Sequence, residues 1–270
     1  MITGGLGRRI SSTVPVAVAA AWAVALVAQT TGNAALLHAH DHGSDGALPL
    51  WLVVLTPPFW VTAAVFLVAW QVMVAAMMLP SSLPMIRLFS HAAQRQEGSG
   101  RILLAFLGGY AAMWGAVGAA AFAADVALHR AGDALPSLAG HPWIVPAAAL
   151  IGAGAFQFTD LKDRCLDQCR HPGPFLMRHY RRGTRGAFDV GRKHGLFCIG
   201  CCWALMALML AVGVASLIWM GALGAVMYYE RVSRHGRSLT PVLGVALILW
   251  GIVVAAHPAW LPGILGGVAS

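Results

Sequence analysis

Charged residues are scarce in this sequence. Asp, Glu, Lys and Arg together make up 10% of its 270 residues, whereas 59% are hydrophobic and the mean hydropathy is +0.71. A chain this poor in charge cannot cover itself with a water-soluble surface, and apolar runs long enough to cross a hydrocarbon core of about 30 Å recur along it. The composition therefore excludes an ordinary soluble protein and indicates a polytopic membrane protein.

Two sequence patterns are also missing. Membrane barrel strands alternate apolar and polar residues over roughly ten positions, and no strong pattern of that kind is present, so the spans are predicted to be helices. The sequence has no phosphate-binding glycine loop and no cytosolic domain with a phosphorylatable Asp, so nothing in it indicates an ATP-driven pump. The predicted fold class is all-α, a transmembrane helical bundle that forms a single domain over residues 1–270.

The positive charges follow a topological pattern. Of the 18 Lys and Arg residues, all but Arg130 fall in alternate connections, as the positive-inside rule requires. This distribution, rather than nucleic-acid binding, accounts for the net charge of +8. It predicts a protein of the bacterial inner membrane with about seven spans, its N-terminus inside and its C-terminus outside. The predicted spans are 13–32, 59–79, 103–124, 143–161, two segments of 196–229 on either side of a turn near 213–216, and 241–256.

The ends and the packing of individual spans can also be predicted. The first apolar segment could be a retained helix or a signal peptide. No small-residue cleavage site follows it promptly, so we expect a retained helix. The second span is expected to end at Pro80. The small residues Gly108, Gly109, Gly115 and Gly118 are expected to let helices approach closely in lipid.

Two connections between the spans differ sharply in composition. The connection 33–56 has no Lys or Arg and is therefore placed outside. It holds His38, His40 and His42, which would point the same way in an extended loop and could bind one Cu(II), zinc or nickel ion. Short His tracts in flexible loops also bind metals adventitiously. The basic segment 162–195 is predicted to be a cytoplasmic loop on anionic headgroups rather than one long helix.

All five cysteines are predicted to lie at one face of the membrane. On a helix, Cys198, Cys201 and Cys202 share a face, and Cys165 and Cys169 lie one turn apart. The topology places both groups at cytoplasmic helix ends, where thiols stay reduced, and the long connection lets those ends meet. Two or three thiolates could bind Cu(I), and four could bind zinc.

Methionines near these cysteines bear on the choice of metal. Met77 and Met78 lie on the inner half of the second span, and Met206 lies one helical turn beyond Cys202. Thioethers bind Cu(I) well and zinc poorly, so the array favours copper. Packing is the alternative, because methionine is a common gap filler and free cysteine behaves as a small buried hydrophobe.

Three motifs stand out when they are taken together. They are AMMLP at 76–80, the pair Cys165 and Cys169 preceded by Lys162, and GCCW at 200–203. This combination resembles a bacterial family of predicted metal-binding integral membrane proteins, a domain of unknown function, over most of the chain from the second span onward. The resemblance implies metal binding, although Asp160 and Phe156 stand where the family pattern has Pro and Tyr. Its signature positions in this chain are Met77, Met78, Pro80, Lys162, Cys165, Cys169, Cys201, Cys202, Trp203 and Met206.

Three functional hypotheses follow, and the sequence favours a binding protein over an enzyme. In the first, the protein binds a soft metal, expected to be Cu(I) with zinc as the alternative, for copper homeostasis, transport or delivery to a copper enzyme. Its expected partners are the lipid bilayer and a membrane enzyme complex or metallochaperone. In the second, it is a membrane thiol oxidoreductase that uses Cys198 and Cys201 with Cys165 and Cys169. In the third, it is a structural or assembly subunit of a membrane complex.

Overall fold

The computed structural model of the protein describes residues 4–30, 59–94, 96–134, 141, 143–212 and 217–257. These ranges contain nine helices and no strand, which confirms the all-α fold class. The helices are α1 (Gly4–Thr30), α2 (Phe59–Ala93), α3 (Ser99–Ala134), α4 (Ile144–Phe156), α5 (Asp160–Arg170), α6 (Pro172–His179), α7 (Gly183–Val212), α8 (Leu217–Val232) and α9 (Gly236–Ala256). The predicted turn near 213–216 lies outside the described residues.

Three helices are long and apolar enough to cross a membrane. They are α2, the segment Ser99–Ala127 of α3, and α9, and they contain three of the predicted spans. The pair α4 and α5 is a fourth candidate, bent by 66°. Helix α1 carries a shorter apolar segment, Val14–Val27. These helices are compatible with a membrane location, and the count of seven spans stays a prediction.

The outer surface of the bundle is also apolar. Trp60, Leu104, Ile218 and Val242 are each more than 60% exposed. Large exposed apolar surfaces are unusual in soluble monomers, whereas hydrocarbon is a suitable environment for such side chains.

Helix α2 does not end at Pro80, and that prediction was wrong. The helix continues through Pro80 and Pro84 to Ala93. Proline removes a backbone hydrogen bond, but membrane helices tolerate it where neighbouring groups satisfy the freed backbone. Packing beyond the prolines favours continuation, because Met85 and Phe89 are buried.

The fourth predicted span, 143–161, is interrupted rather than continuous. Thr159 has an extended conformation with ψ of 142°, so α4 ends before it and α5 begins after it. The Thr159 hydroxyl donates to the Phe156 carbonyl at 2.8 Å and accepts from the Lys162 backbone N–H at 3.4 Å, which caps α5. Asp160 then occupies the first helical position, where Pro is favoured and where an acidic residue complements the helix dipole. Either residue therefore suits this turn.

The prediction that the basic segment 162–195 is not one long helix is confirmed. The segment is not a loop, however, because most of it is helical. Pro172 begins α6, in the first turn where its missing N–H does no harm. Gly183 begins α7 with a φ of +80°, a conformation that favours glycine. The segment thus carries α5 and α6 back against the bundle, where Phe175 and Leu176 are buried.

Close packing of α3 on α7 depends on glycine. A Cβ on Gly109 of α3 would overlap the backbone carbonyl of Phe188, and one on Gly191 of α7 would overlap that of Phe106. The prediction of close approach is confirmed for Gly109, for Gly115 and Gly118 against α2, and is wrong for Gly108, which has open space around it. Helix rotation decides this, since neighbouring residues point in different directions.

Candidate metal centre

Helix α7 positions three cysteines in the core of the bundle. Cys198, Cys201 and Cys202 are all buried. The thiols of Cys201 and Cys202 turn back along the helix and lie 3.2 and 2.9 Å from the Cys198 carbonyl oxygen. Such bonds to the preceding turn are available to residues at i+3 and i+4. Two thiols therefore converge on one turn of helix.

The bend at Thr159 brings the other two cysteines to the same place. Helix α5 packs on α7, and the sulfur of Cys169 lies 3.9 Å from that of Cys201. Cys165 is buried against Gly200, where a Cβ would overlap its sulfur. The structure therefore brings together cysteine groups that are separated by about 30 residues in the chain, and the prediction that the two helix ends meet is confirmed.

One of the three predicted methionines contacts a thiol. The Met78 sulfur, on α2, lies 3.8 Å from the Cys202 sulfur. Met77 and Met206 are buried in the same core, Met77 beside Gly224, without a described sulfur contact. We define the sulfur cluster as Cys165, Cys169, Cys198, Cys201, Cys202 and Met78.

A guanidinium group enters the sulfur cluster from α8. Arg231, which is 6% exposed, donates through one terminal nitrogen to the Cys198 carbonyl and to the Cys201 sulfur, each at 3.1 Å. Its other terminal nitrogen donates to the Ser81 hydroxyl on α2 at 2.8 Å. Arg231 therefore ties α2, α7 and α8 together and places a positive charge beside the Cys201 thiol.

A tyrosine holds the third thiol of α7. The hydroxyl of Tyr110, on α3, lies 3.1 Å from the Cys198 sulfur. Tyr110 is buried and its ring stacks on His194, one helical turn before Cys198. The close approach of α3 to α7 at Gly109, next in the chain to Tyr110, makes this contact possible.

A buried ion pair supports the cluster on the side of α5. The ammonium of Lys162 lies 2.8 Å from one carboxylate oxygen of Glu230 and 3.0 Å from the other. The Gln157 carbonyl oxygen also accepts from Lys162, and the Thr240 hydroxyl donates to Glu230 at 3.3 Å. The network joins α5, α8 and α9. The network therefore holds α8 at Glu230, the residue that precedes Arg231.

Arg170 fastens the end of α8 from the other direction. Its guanidinium donates to the Glu230 carbonyl and, at 2.8 Å, to the Ser233 carbonyl. Carbonyls at the last turn of a helix lack partners within that helix, and basic side chains commonly satisfy them. Arg170 follows Cys169 directly, so α5 delivers both a thiol and an α8 cap.

The contact between Gly200 and Cys165 gives a testable prediction. Gly200→Ala is expected to destabilise the protein by about 1–3 kcal/mol, because the new methyl group overlaps the Cys165 sulfur. In a Cys165→Ala background the cost is expected to fall by about 1 kcal/mol, because the sulfur is gone. Denaturant unfolding of the two single variants and the double variant in detergent measures the coupling. Additive effects would contradict the contact.

The outer cluster His38, His40 and His42 lies outside the described residues. Within those residues, no group of three or more His, Cys, Asp and Glu side chains has an arrangement that could hold a metal ion. Between helices, a sulfur of one residue approaches a sulfur of another at 3.9 Å for Cys169 with Cys201 and at 3.8 Å for Cys202 with Met78.

A protein-family model matches the part of the chain that carries the sulfur cluster. The family model described as PpoB2, copper chaperone, matches residues 67–254, which is more than half of the chain. The chain belongs to the PpoB2 copper chaperone family. This membership gives the protein a copper-related function, in agreement with the copper hypothesis. The PpoB2 match includes every residue of the sulfur cluster and Arg231, but not His38, His40 and His42. A comparison with curated proteins found no match, and neither did one with solved structures.

Proposed function

We propose that the protein is a multi-pass inner-membrane copper chaperone that binds Cu(I) at the sulfur cluster and passes it to a membrane enzyme or a second metallochaperone. The observation that carries the proposal is the 3.9 Å approach of the Cys169 and Cys201 sulfurs across two helices. Metal–sulfur bonds of about 2.3 Å, as zinc makes, let one ion join sulfurs up to about 4.6 Å apart. A single ion can therefore bind both thiolates with little movement of the helices.

The donor chemistry supports copper as the cargo. The cluster offers thiols and one thioether, and these soft ligands select Cu(I). Zinc binds thiolates as well, but it gains little from Met78 because thioethers suit it poorly. The membership in a copper chaperone family agrees with this preference.

Further soft ligands continue from the cluster along α7. Met206 and Met209 are buried one and two turns beyond Cys202. In the predicted topology the cluster lies at the cytoplasmic end of the bundle, and these thioethers lie deeper in the membrane. They supply places to which an ion can move after it leaves the thiol pair.

The proposal predicts a large loss of copper affinity when the pair is broken. Cys169→Ser and Cys201→Ser are each expected to lower the Cu(I) affinity at least about tenfold, because changes even outside the ligand set commonly cost tenfold or more. The measurement is anaerobic competition with a chromophoric Cu(I) chelator, using protein purified in detergent.

Methionines provide a matched control for this experiment. Met78 and Met85 are both buried on α2, but only Met78 lies against a thiol of the cluster. Met78→Leu is expected to weaken Cu(I) binding, whereas Met85→Leu leaves it unchanged. Stoichiometric copper binding that survives both cysteine substitutions would place the site elsewhere and refute the proposal.

The same thiol pair also suits the oxidoreductase hypothesis. Sulfurs 3.9 Å apart need to approach to about 2.05 Å to form a disulfide. An oxidoreductase would turn over a dithiol or disulfide substrate and would lose turnover in both Cys169→Ser and Cys201→Ser. A structural subunit would lose stability in these variants without a change in cellular copper sensitivity. Copper binding without redox turnover favours the chaperone.

A further inference from the structure

Arg231 places a buried positive charge in the sulfur cluster. Arg231 is buried, and the acceptors described for it are the Ser81 hydroxyl, the Cys198 carbonyl and the Cys201 sulfur. A buried cation is costly unless an anion compensates it. None of these acceptors carries a formal negative charge unless a thiol is ionised.

The carboxylate that directly precedes Arg231 in the chain already has a cationic partner. Glu230 precedes Arg231, but both of its carboxylate oxygens lie within 3.0 Å of the Lys162 ammonium. That pair is neutral as a whole. The positive charge of Arg231 is therefore available to the sulfur cluster rather than cancelled by its neighbour.

This charge distinguishes monovalent from divalent metal ions. Cu(I) bound to two thiolates carries a single net negative charge, which the guanidinium cancels. The complex of zinc with the same two thiolates is neutral, so it leaves the positive charge of the guanidinium uncompensated. In a site removed from water this difference is large, because the surroundings screen it weakly.

We propose that Arg231 is a specificity-determining residue, which makes the Cys169 and Cys201 pair selective for a monovalent soft cation over a divalent one. The inference rests on the proposed function, since it takes this pair as the copper site. Its contact with the Cys201 sulfur at 3.1 Å places the charge on a ligand rather than at a distance. Hydrogen bonds to metal ligands commonly tune a site in this way.

The test measures affinity ratios rather than a single affinity. Wild type, Arg231→Met and Arg231→Lys are titrated anaerobically with Cu(I), Ag(I) and Zn(II), each against a competing chelator. Arg231→Met is expected to lower the ratio of Cu(I) to Zn(II) affinity at least about tenfold, and Ag(I) is expected to follow Cu(I). Arg231→Lys retains the charge and is expected to restore most of the ratio.

A second variant removes the charge effect while it keeps the arginine. Ser81 accepts from Arg231 at 2.8 Å, so Ser81→Asp supplies a carboxylate that neutralises the guanidinium. This variant is expected to lower the ratio as Arg231→Met does, and it carries the test if Arg231→Met does not fold. Arg237→Met is the control, because it also removes a cation but Arg237 is exposed and pairs with Asp163; its ratio is expected to stay unchanged.

The outcomes separate this inference from the proposed function. If Arg231 only braces the helices, Arg231→Met lowers both affinities equally and Ser81→Asp leaves the ratio unchanged, and the inference is overturned while the chaperone proposal stands. If wild-type protein binds no Cu(I), or binds it equally after loss of Cys169 and Cys201, the proposed function fails and the inference fails with it.

Discussion

Glu230→Gln is expected to destabilise the protein by about 3–5 kcal/mol, the usual cost of removing one partner from a buried ion pair. The Lys162 and Glu230 side chains are 1% and 2% exposed, and their charged groups lie 2.8 Å apart. The substitution leaves a buried ammonium without its counter-charge. Glutamine keeps one acceptor oxygen, but its NH2 group replaces the other oxygen beside the Lys162 ammonium, so the loss includes a hydrogen bond as well as the charge.

A double variant tests whether the cost comes from the unpaired charge. Replacing buried ion pairs by apolar residues of similar size is often neutral or stabilising. Lys162→Met combined with Glu230→Leu is therefore expected to recover most of the stability that Glu230→Gln loses. Unfolding in detergent, followed by helical circular dichroism, measures all of these variants.

An exposed pair provides the control. Arg237 and Asp163 lie 3.2 Å apart, but each side chain is 58% exposed. Arg237→Gln is expected to cost less than about 1 kcal/mol, because water screens and solvates the separated charges. Equal costs for Arg237→Gln and Glu230→Gln would mean that the Lys162 and Glu230 pair is not shielded from solvent.

The meeting of the cysteines could be predicted because it follows from chain topology. Cys165 and Cys169 precede the long basic segment, and Cys198, Cys201 and Cys202 follow it. When both ends of a connection are expected at one membrane face, their side chains can come together whatever the connection does. The sequence could not indicate that Cys169 rather than Cys165 would face Cys201, because that depends on the rotation of α5 after the bend at Thr159.

The role of Arg231 could not be predicted in the same way. By the positive-inside rule, Arg231 counts as a cytoplasmic charge like Arg234 and Arg237, and the sequence gives no sign that it differs. In the structure, α8 ends at Val232, so Arg231 and Glu230 still belong to the packed helix whereas Arg234 lies beyond it. The buried Lys162 requires an acidic partner, which is Glu230, but this requirement says nothing about the residue that follows Glu230.

The predictions that α2 ends at Pro80 and that the fourth span is continuous were both wrong. Proline is a reliable helix terminator in water, but in α2 the packing of residues beyond it outweighs one lost backbone bond. Thr159 acted in the opposite sense, because its hydroxyl competes for backbone groups and starts a new helix. Hydropathy averages over both residues and therefore could not place either feature.

Neighbouring glycines on α3 are expected to respond in opposite ways to the same substitution. Gly109→Ala is expected to cost about 3 kcal/mol, because a Cβ there overlaps the Phe188 carbonyl oxygen and lies 2.9 Å from the Arg192 nitrogen. Both obstacles are backbone atoms, so α3 and α7 must separate. Gly108→Ala meets nothing within 4 Å. It is expected to be neutral or stabilising by up to about 1 kcal/mol, since alanine favours helix more than glycine.

The glycine pair also connects helix packing to the metal centre. Tyr110 follows Gly109 and reaches the Cys198 sulfur across the α3 and α7 contact, so separation of the helices withdraws its hydroxyl from the thiol. Gly109→Ala is therefore expected to weaken Cu(I) binding as well as stability, whereas Gly108→Ala changes neither to the same degree. Unfolding and chelator competition on both variants measure this. If Gly109→Ala proved as stable as Gly108→Ala, the close packing of α3 on α7, and with it the position of Tyr110 beside Cys198, would be refuted.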